Sequence, residues 1–417
     1  MSSLGIIKFV IRQINQVQQG GFMELVRKLV KFLRLTLRIP IGGLVVSICY
    51  LIKPLITIRF GHLYTSRIGH LCVNMDNYIY ARRERGGSRE LGVFRTDKRI
   101  SNTAIFTMWS KHKGILFSNF AEFPLYFLEK YIPNSTMQIS FNLEMGPIFS
   151  LASISPKNLK ISVTDEQKID KLLQEQNINS PYICLHNRDS AYLNFYGSDG
   201  NFHDYRDFDF DDFKLGINQL ADSGLMSVRV GEKVKHESRI VNEKFISITG
   251  SDRSDFSDVA LITKCLFFVG SNTGFSNISR VLRKPELLIN YTPLEIGRLS
   301  IYSCDSLILP KKIYKLDEQR YLSFSEIMSL SYNIHYQGDF FSDMGLLLEN
   351  NSQTEISEAI MEMWARVAGN WQDSEAQSQL QNQFWKSVDN VKYSNLVHHQ
   401  LNINICSTFL ERNSFMI

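Results

Sequence analysis

The sequence predicts an α/β protein: two Rossmann-like, doubly wound domains facing a cleft, preceded by a basic amphipathic and apolar helical segment. Three observations carry this. Apolar runs of strand length alternate with helix-period segments from about residue 55 to about residue 330. Several of these runs stop at a short cluster of small or polar residues. The chain is 417 residues long, 44% apolar and 12% aromatic, which is enough for two cores of ordinary size.

The clearest unit is Cys265–Tyr291. Leu266-Phe267-Phe268-Val269 reads as a buried strand, and Gly270-Ser271-Asn272-Thr273-Gly274 ends it. Phe275, Ile278, Val281 and Leu282 then recur at helical spacing. Pro285 stops that helix, and Leu287-Leu288-Ile289 gives the next strand. This is a βαβ unit, and its turn would aim N–H groups and a positive dipole end at a phosphate. An ordinary βα turn with Ser or Asn as N-cap explains the same residues.

Residues 1–60 hold nine Lys/Arg and one acid, Glu24. The net charge of the whole is +4, so that +8 segment sits on a body of −4. This points to a local anionic partner surface and away from a nucleic-acid binder. Six cysteines are scattered, with no C-x-x-C pair, so reduced core thiols are expected rather than a disulfide framework or zinc site.

In Phe22–Arg38, Arg27, Lys31, Arg34 and Arg38 share one stripe, and Leu25, Leu29, Phe32 and Leu33 lie opposite. Ile39–Ile52 follows, 14 residues without a charge but with Pro40, Gly42 and Gly43 near its start. Spanning a bilayer needs about 20 apolar residues. Residues 1–53 are therefore expected to lie at an anionic membrane surface, interfacial or shallowly inserted. A helix docked on the protein itself is the plainer alternative.

Residues 54–180 are expected to form the first α/β domain. Its strand Leu55–Phe60 leads into Gly61–Leu71, which holds Arg67, Gly69 and His70. Residues 181–345 are expected to form the second, with strands at Tyr182–Leu185, Met226–Val230, Phe245–Ile248, 266–269, 287–289 and Ser306–Leu309. A C-terminal helical extension, 346–417, would pack back on the body. Its helix Thr354–Gly369 would be capped by Thr354, and Gln372–Asn382 would be exposed.

Ligands of open α/β sheets sit outside the carboxyl ends of the strands. The polar clusters there are Gly61–His70, His186-Asn187-Arg188-Asp189, Gly231-Glu232-Lys233 and Gly270–Gly274. Arg188 can bridge phosphate oxygens, with Asp189 to orient it; a structural Arg–Asp pair is the alternative. His203-Asp204-Tyr205-Arg206 lies in a loop too polar for core and adds a titratable imidazole and a second guanidinium. His62 and His70 are candidate bases, and Asp76 is expected on a helix surface. No G-x-G-x-x-G follows the first strand, and there is no Walker lysine loop or H-E-x-x-H. The run Asp207–Asp212 contains D-x-D, but charge complementarity at a helix start accounts for it without a metal.

Several of these segments resemble a family of bacterial glycosyltransferases of surface-polysaccharide gene clusters, of the O-antigen and capsule kind. The markers are Arg67-Ile68-Gly69-His70-Leu71, His186–Tyr192, His203–Arg206, Phe267–Asn290 and Phe409–Asn413. The layout also looks like the two-Rossmann architecture called GT-B. The H-x-R cluster is similar to that of GT-B fucosyltransferases, where the arginine binds the donor β-phosphate; carried over, that residue is Arg188. The aspartate directly after Arg188 departs from their pattern and leaves the donor sugar unassigned.

The resemblance implies metal-independent sugar transfer from a nucleotide-sugar, a co-substrate with no further cofactor, to a lipid-linked or glycan acceptor. The chain would be cytoplasmic and peripheral on the inner face of the membrane. The expected catalytic set is His70 as base with Arg188 and Asp189. The expected substrate-binding set is Arg67, Gly69, His186, His203, Tyr205, Arg206, Gly231, Glu232, Ser271, Asn272, Thr273 and Gly274. Two other readings stand beside it: a nucleotide-sugar epimerase or hydrolase of the same fold, and a non-catalytic membrane-associated polysaccharide assembly protein.

Overall fold

The computed structural model describes residues 3–141, 155–197, 203–294, 305–330, 339–388 and 403–417. The expected irregular stretch 150–164 lies partly outside them, and Cys304 wholly so. The chain divides into two compact units.

The first unit comprises residues 1–63, 86–96 and 112–141. Strands β1 (Thr57–Leu63), β2 (Glu90–Thr96), β3 (Ile115–Phe117) and β4 (Gln138–Ile139) form a parallel sheet in the order β3-β2-β1-β4. Helix Glu122–Tyr131 covers it, with Phe60, Val93, Leu125, Leu128 and Met137 in the core. The predicted Phe22–Arg38 helix runs on through Pro40, so that one helix spans Ser3–Ile52 with a break at Gly21 (φ 63°, ψ −156°). Such dihedrals favour glycine. The apolar run packs its Gly42, Val46 and Cys49 against Glu122–Tyr131, and Arg38 pairs with Glu122. A Cβ at Gly42 would collide with the Phe123 carbonyl oxygen, so the small residues permit the close approach. Among the described residues, no helix is long and apolar enough to cross a membrane.

The second unit comprises residues 64–85, 97–111 and 142–417. Its main sheet has seven strands: β5 (Tyr182–His186), β6 (Met226–Gly231), β7 (Phe245–Thr249), β8 (Phe268–Gly270), β9 (Glu286–Tyr291), β10 (Ser306–Pro310) and β14 (Asn404–Ile405). The order is β14-β10-β9-β8-β5-β6-β7, and every pairing is parallel. From β5 the chain winds outward to β7 and then returns to β8 on the other side. The reversal lies between the ends of β5 and β8, where such sheets leave a crevice. A small antiparallel sheet, β11 (Lys312–Lys315), β12 (Arg320–Tyr321) and β13 (Leu346–Glu349), escaped the sequence reading.

Helix Ile68–Glu84 packs on Asn277–Val281, and Thr103–Ser110 packs on Asp255–Lys264. Asp76, expected on a helix surface, is buried. It pairs with Arg283 (2.9 Å) and accepts from Asn158 Nδ2 (2.9 Å). In the C-terminal region the helix is Gln353–Val367, capped by Ser352 rather than Thr354. Ser352 and Glu355 form a reciprocal capping box, which outcompetes a threonine already inside the first turn. The stretch 372–382 is mostly exposed, as expected; from Glu375 it forms helix Glu375–Val388, whose Gln381 and Phe384 are buried. The five described cysteines are unpaired and buried.

Candidate active site at the strand ends of the seven-stranded sheet

The end of β5 supplies His186, Asn187, Arg188 and Asp189. His186 Nδ1 lies 2.9 Å from the Val230 carbonyl. A carbonyl only accepts, so Nδ1 carries the proton and Nε2 is the acceptor. Its ring stacks on Phe275 (4.6 Å, 20°), and burial lowers its pKa to about 4. His186 is thus a neutral wedge joining β6 to the loop after β8. Gly231, at φ +147°, lets the chain pass: a Cβ there would stand 3.2 Å from His186 Nδ1.

Arg188 pairs with Asp207, not with the adjacent Asp189. Asp189 faces elsewhere because backbone donors claim both its oxygens. Oδ1 accepts from Ala191 N–H and Oδ2 from Lys235 N–H, each at 2.9 Å. It therefore ties the loop after β5 to the loop after β6. Glu232 accepts from the Tyr196 hydroxyl.

The loop 203–211 is not the solvated segment its polarity suggested. Tyr205 and Arg206 are buried, and several of the loop's polar groups bond to one another or to neighbouring strand ends. Arg206 Nη2 donates to Tyr205 Oη (3.1 Å), which lies 2.7 Å from His203 Nδ1. Arg206 Nη1 donates to the Asn272 carbonyl (3.1 Å), fixing this loop to the end of β8. Lys311, directly after β10, donates from Nζ to the Tyr205 carbonyl (2.7 Å). Burial lowers the Lys311 pKa to about 8, against the pull of Asp207 and Asp204. In the DFDFDD run, Asp209 caps the 3₁₀ turn Phe210–Phe213 and Asp211 binds Arg239 and Ser238. Among the described residues, no three His, Cys, Asp or Glu are placed to hold one metal ion.

The turn after β8 differs from the expected helix start. Its helix, Asn277–Val281, is only five residues long and begins after Ser276. Thr273 N–H bonds to the Ser271 carbonyl and Phe275 N–H to Thr273 Oγ1, so part of the donor set is used within the turn. A dipole-aimed phosphate site is therefore not built here. What the turn does hold is a pair of buried polar atoms, Ser271 Oγ and Asn272 Oδ1, with no partner among the described residues.

The Tyr64–His70 segment meets this turn. Gly69 and Gly274 approach backbone to backbone. His70 packs edge-on to Tyr64 (5.5 Å), and its buried Nδ1 has no hydrogen-bond partner among the described residues. Burial, aided by Arg67, lowers its pKa to about 4. Arg67 itself is exposed. Ser66 donates through N–H (3.0 Å) and Oγ (2.6 Å) to Asp97, and Arg99 donates to the Ser66 carbonyl (2.6 Å). The Arg99 guanidinium lies 3.8 Å from the Tyr196 ring centroid. Asp97 and Arg99 were missed, although they repeat the pattern of a strand followed by a polar cluster, here after β2.

A cavity of about 670 Å³ opens beside β5 and β6, lined by Asn187, Asp189, Asp207, Asp211, Arg229 and Arg239 among others. That volume is within the range of small-molecule sites. Its Arg229 is buried, stacked 4.1 Å over Phe210, and donates to the His236 carbonyl (3.1 Å). Lys311 and Arg229 gave no sequence signal, because each lies in or beside a strand whose neighbours read as core.

No family model matches the sequence, and no curated protein matches it. Among solved structures, the chain is similar to a glycosyl transferase family 9 protein from Veillonella parvula. That match has 10% identity and a TM-score of 0.50, and covers 74% of this chain and 97% of that one. It is also similar to the E. coli ADP-heptose LPS heptosyltransferase II, with 13% identity over 60% of this chain and 90% of that one, at a TM-score of 0.40. The likeness to the first of these supports the fold class, α/β with parallel sheets and GT-B-like.

Proposed function

We propose that this chain is a glycosyltransferase that moves a sugar from a nucleotide-sugar to a lipid-linked or polysaccharide acceptor in bacterial surface-polysaccharide synthesis, of the O-antigen or capsule type. The observation that carries this is the meeting of three cations at loop 204–207: Arg188, after β5, and Lys311, after β10, bond to it, and its own Arg206 reaches the end of β8. Positive charge fixed at the reversal point of a doubly wound sheet suits a leaving nucleoside diphosphate, whose charge grows as the glycosidic bond breaks. These side chains supply the stabilisation that a metal ion supplies in other transferases, so the reaction proposed is metal-independent. The adjoining cavity has room for the nucleoside; the unpartnered Ser271 Oγ is suited to donate to a phosphate oxygen, and Asn272 Oδ1 to accept from an N–H or O–H of the nucleoside.

His70 is the proposed base. Its imidazole is unprotonated at neutral pH, and an arriving anionic donor would raise its low pKa toward a working value. Residues 1–53 hold the enzyme at the anionic inner face of the cytoplasmic membrane, where lipid-linked acceptors reside.

The deciding experiment is a thermal-shift screen of the full chain with UDP, GDP, CMP and ADP and their sugars, followed by transfer assays with any stabilising donor. Stabilisation by one nucleotide class, lost in Arg188→Ala, supports the proposal. Absence of any nucleotide effect would indicate an assembly protein, and acceptor-independent release or isomerisation of the sugar would indicate a hydrolase or epimerase.

A further inference from the structure

The long helix Ser3–Ile52 has two unlike sides. Its inner side is used: Gly42, Val46 and Cys49 are covered by helix Glu122–Tyr131, and Arg38 is paired there. Its outer side is not. Phe22, Leu29, Leu33, Leu37, Leu44 and Leu51 are all exposed, at 76%, 51%, 52%, 45%, 62% and 80%. They recur at intervals of seven, four, four, seven and seven, so they fall on one line along the helix. Leu55 extends that line past the helix end and is 74% exposed.

From Phe22 to Leu51 the line runs about 44 Å at the usual helical rise. A continuous apolar strip of that length is unusual on a protein surface that meets only water. By sequence an apolar face is legible only in the first half, and Ile39–Ile52 reads as an interfacial or shallowly inserted segment. The fold instead joins the two halves into one face, because the helix continues through Pro40.

We infer that this outer strip lies flat in the interfacial layer of an anionic lipid surface, buried to the depth of its leucines along its whole length. The inference rests on the membrane reading of residues 1–53 and names the face, the orientation and the lipid class. Charge selects this occupant over an apolar protein partner. Nine basic residues and one acid lie in residues 1–60; Arg27, still exposed, pairs with that acid, Glu24, and Arg38 and Arg59 pair with Glu122 and Glu90, which leaves an excess of six positive charges in the segment. A neutral hydrophobic partner gives that excess nothing to bind, whereas the anionic headgroup layer around an interfacial helix does. The flat orientation follows from the inner side: a helix held along Glu122–Tyr131 through Gly42 and Gly43 cannot turn end-on into the bilayer without giving up that contact.

The test uses the full chain and sedimentation with vesicles of phosphatidylglycerol and phosphatidylethanolamine, against vesicles of phosphatidylcholine alone. Binding is expected to the anionic vesicles and to weaken at high salt. Ile48, between Leu44 and Leu51, is 47% exposed; Leu44→Glu/Ile48→Glu/Leu51→Glu should reduce the bound fraction at least tenfold, with an unchanged circular dichroism spectrum. Leu44→Trp should show a blue-shifted emission on vesicle addition, which reports insertion without disturbing the strip. Vesicle binding unchanged by the triple Glu variant, or an unshifted Leu44→Trp emission, would overturn the inference. So would light scattering that shows a stable dimer broken by the same triple variant, since a second copy would then be the occupant. Nucleotide-induced thermal shifts of the triple variant should match those of the parent, so failure here is distinguishable from failure of the glycosyltransferase reading.

Discussion

Gly69 and Gly274 meet backbone to backbone: a Cβ on Gly69 would stand 3.1 Å from the Gly274 Cα and 2.9 Å from Asn277 Nδ2. A Cβ on Gly274 would stand 3.0 Å from Ile68 Cγ2. Two segments two hundred residues apart are thereby held in register at the proposed site. Gly69→Val and Gly274→Val should each destabilise the protein by about 1–3 kcal/mol through overpacking. A thermal unfolding midpoint unmoved in both would show that the two segments do not touch.

Arg188 and Asp207 should behave as a unit. Burial raises the Asp207 carboxyl, and the Arg188 guanidinium opposes that rise. Removing the arginine takes away both the proposed phosphate ligand and the carboxylate's partner. Arg188→Ala is expected to lower kcat by about 100- to 1000-fold. Asp207→Asn should lower it less, and the double variant should show coupling of about 0.5–3 kcal/mol in a cycle. Strictly additive single-turnover rates would refute the pairing as a functional one.

Lys311 sets an alkaline limit. Its pKa is lowered to about 8, so it is charged at neutral pH and loses its proton just above. If its charge supports the leaving diphosphate, kcat/KM should fall above pH about 8. Lys311→Arg should move that limb beyond the measured range, and Lys311→Met should give a low, flat profile. The sign for stability is opposite. The strain of a buried ammonium is fully present below about pH 8 and is relieved as pH rises from there toward the ordinary lysine pKa of 10.5. An alkaline limb unaffected by the arginine variant would assign it to another group.

His186 and His70 both have lowered pKa values, to about 4 from 6.5. A histidine buried neutral contributes stability that is intact above pH 6.5 and is lost as pH falls from 6.5 toward 4. His186→Phe keeps the ring stack on Phe275 and removes the titration, so its acid-induced loss of unfolding temperature over that window should be shallower. Imidazole NMR signals for both residues should not move between pH 6 and 8. A midpoint near 6.5 for His186 would contradict its burial.

Asp76 depends on Arg283. Arg283→Met would leave a buried carboxylate short of its counter-ion, and should cost about 3–5 kcal/mol. Asp76→Asn retains the Asn158 contact without the charge and should cost less. Chemical denaturation of the two variants would settle the order.

The α/β class, the strand positions of β5, β6, β7, β9 and β10 and the polar ends of the strands are properties of the sequence itself. Period-two and apolar runs, helical spacing and glycine's access to positive φ are local, and each can be read within a few residues. Partner choice is not local. That Arg188 takes Asp207 rather than Asp189, that Lys311 reaches the Tyr205 carbonyl, and that the helix passes Pro40 to form one apolar strip were decided only by the tertiary structure. A side chain binds what the fold brings within hydrogen-bond distance. Backbone donors from two loops reached Asp189 first, and no periodicity along the chain records that competition.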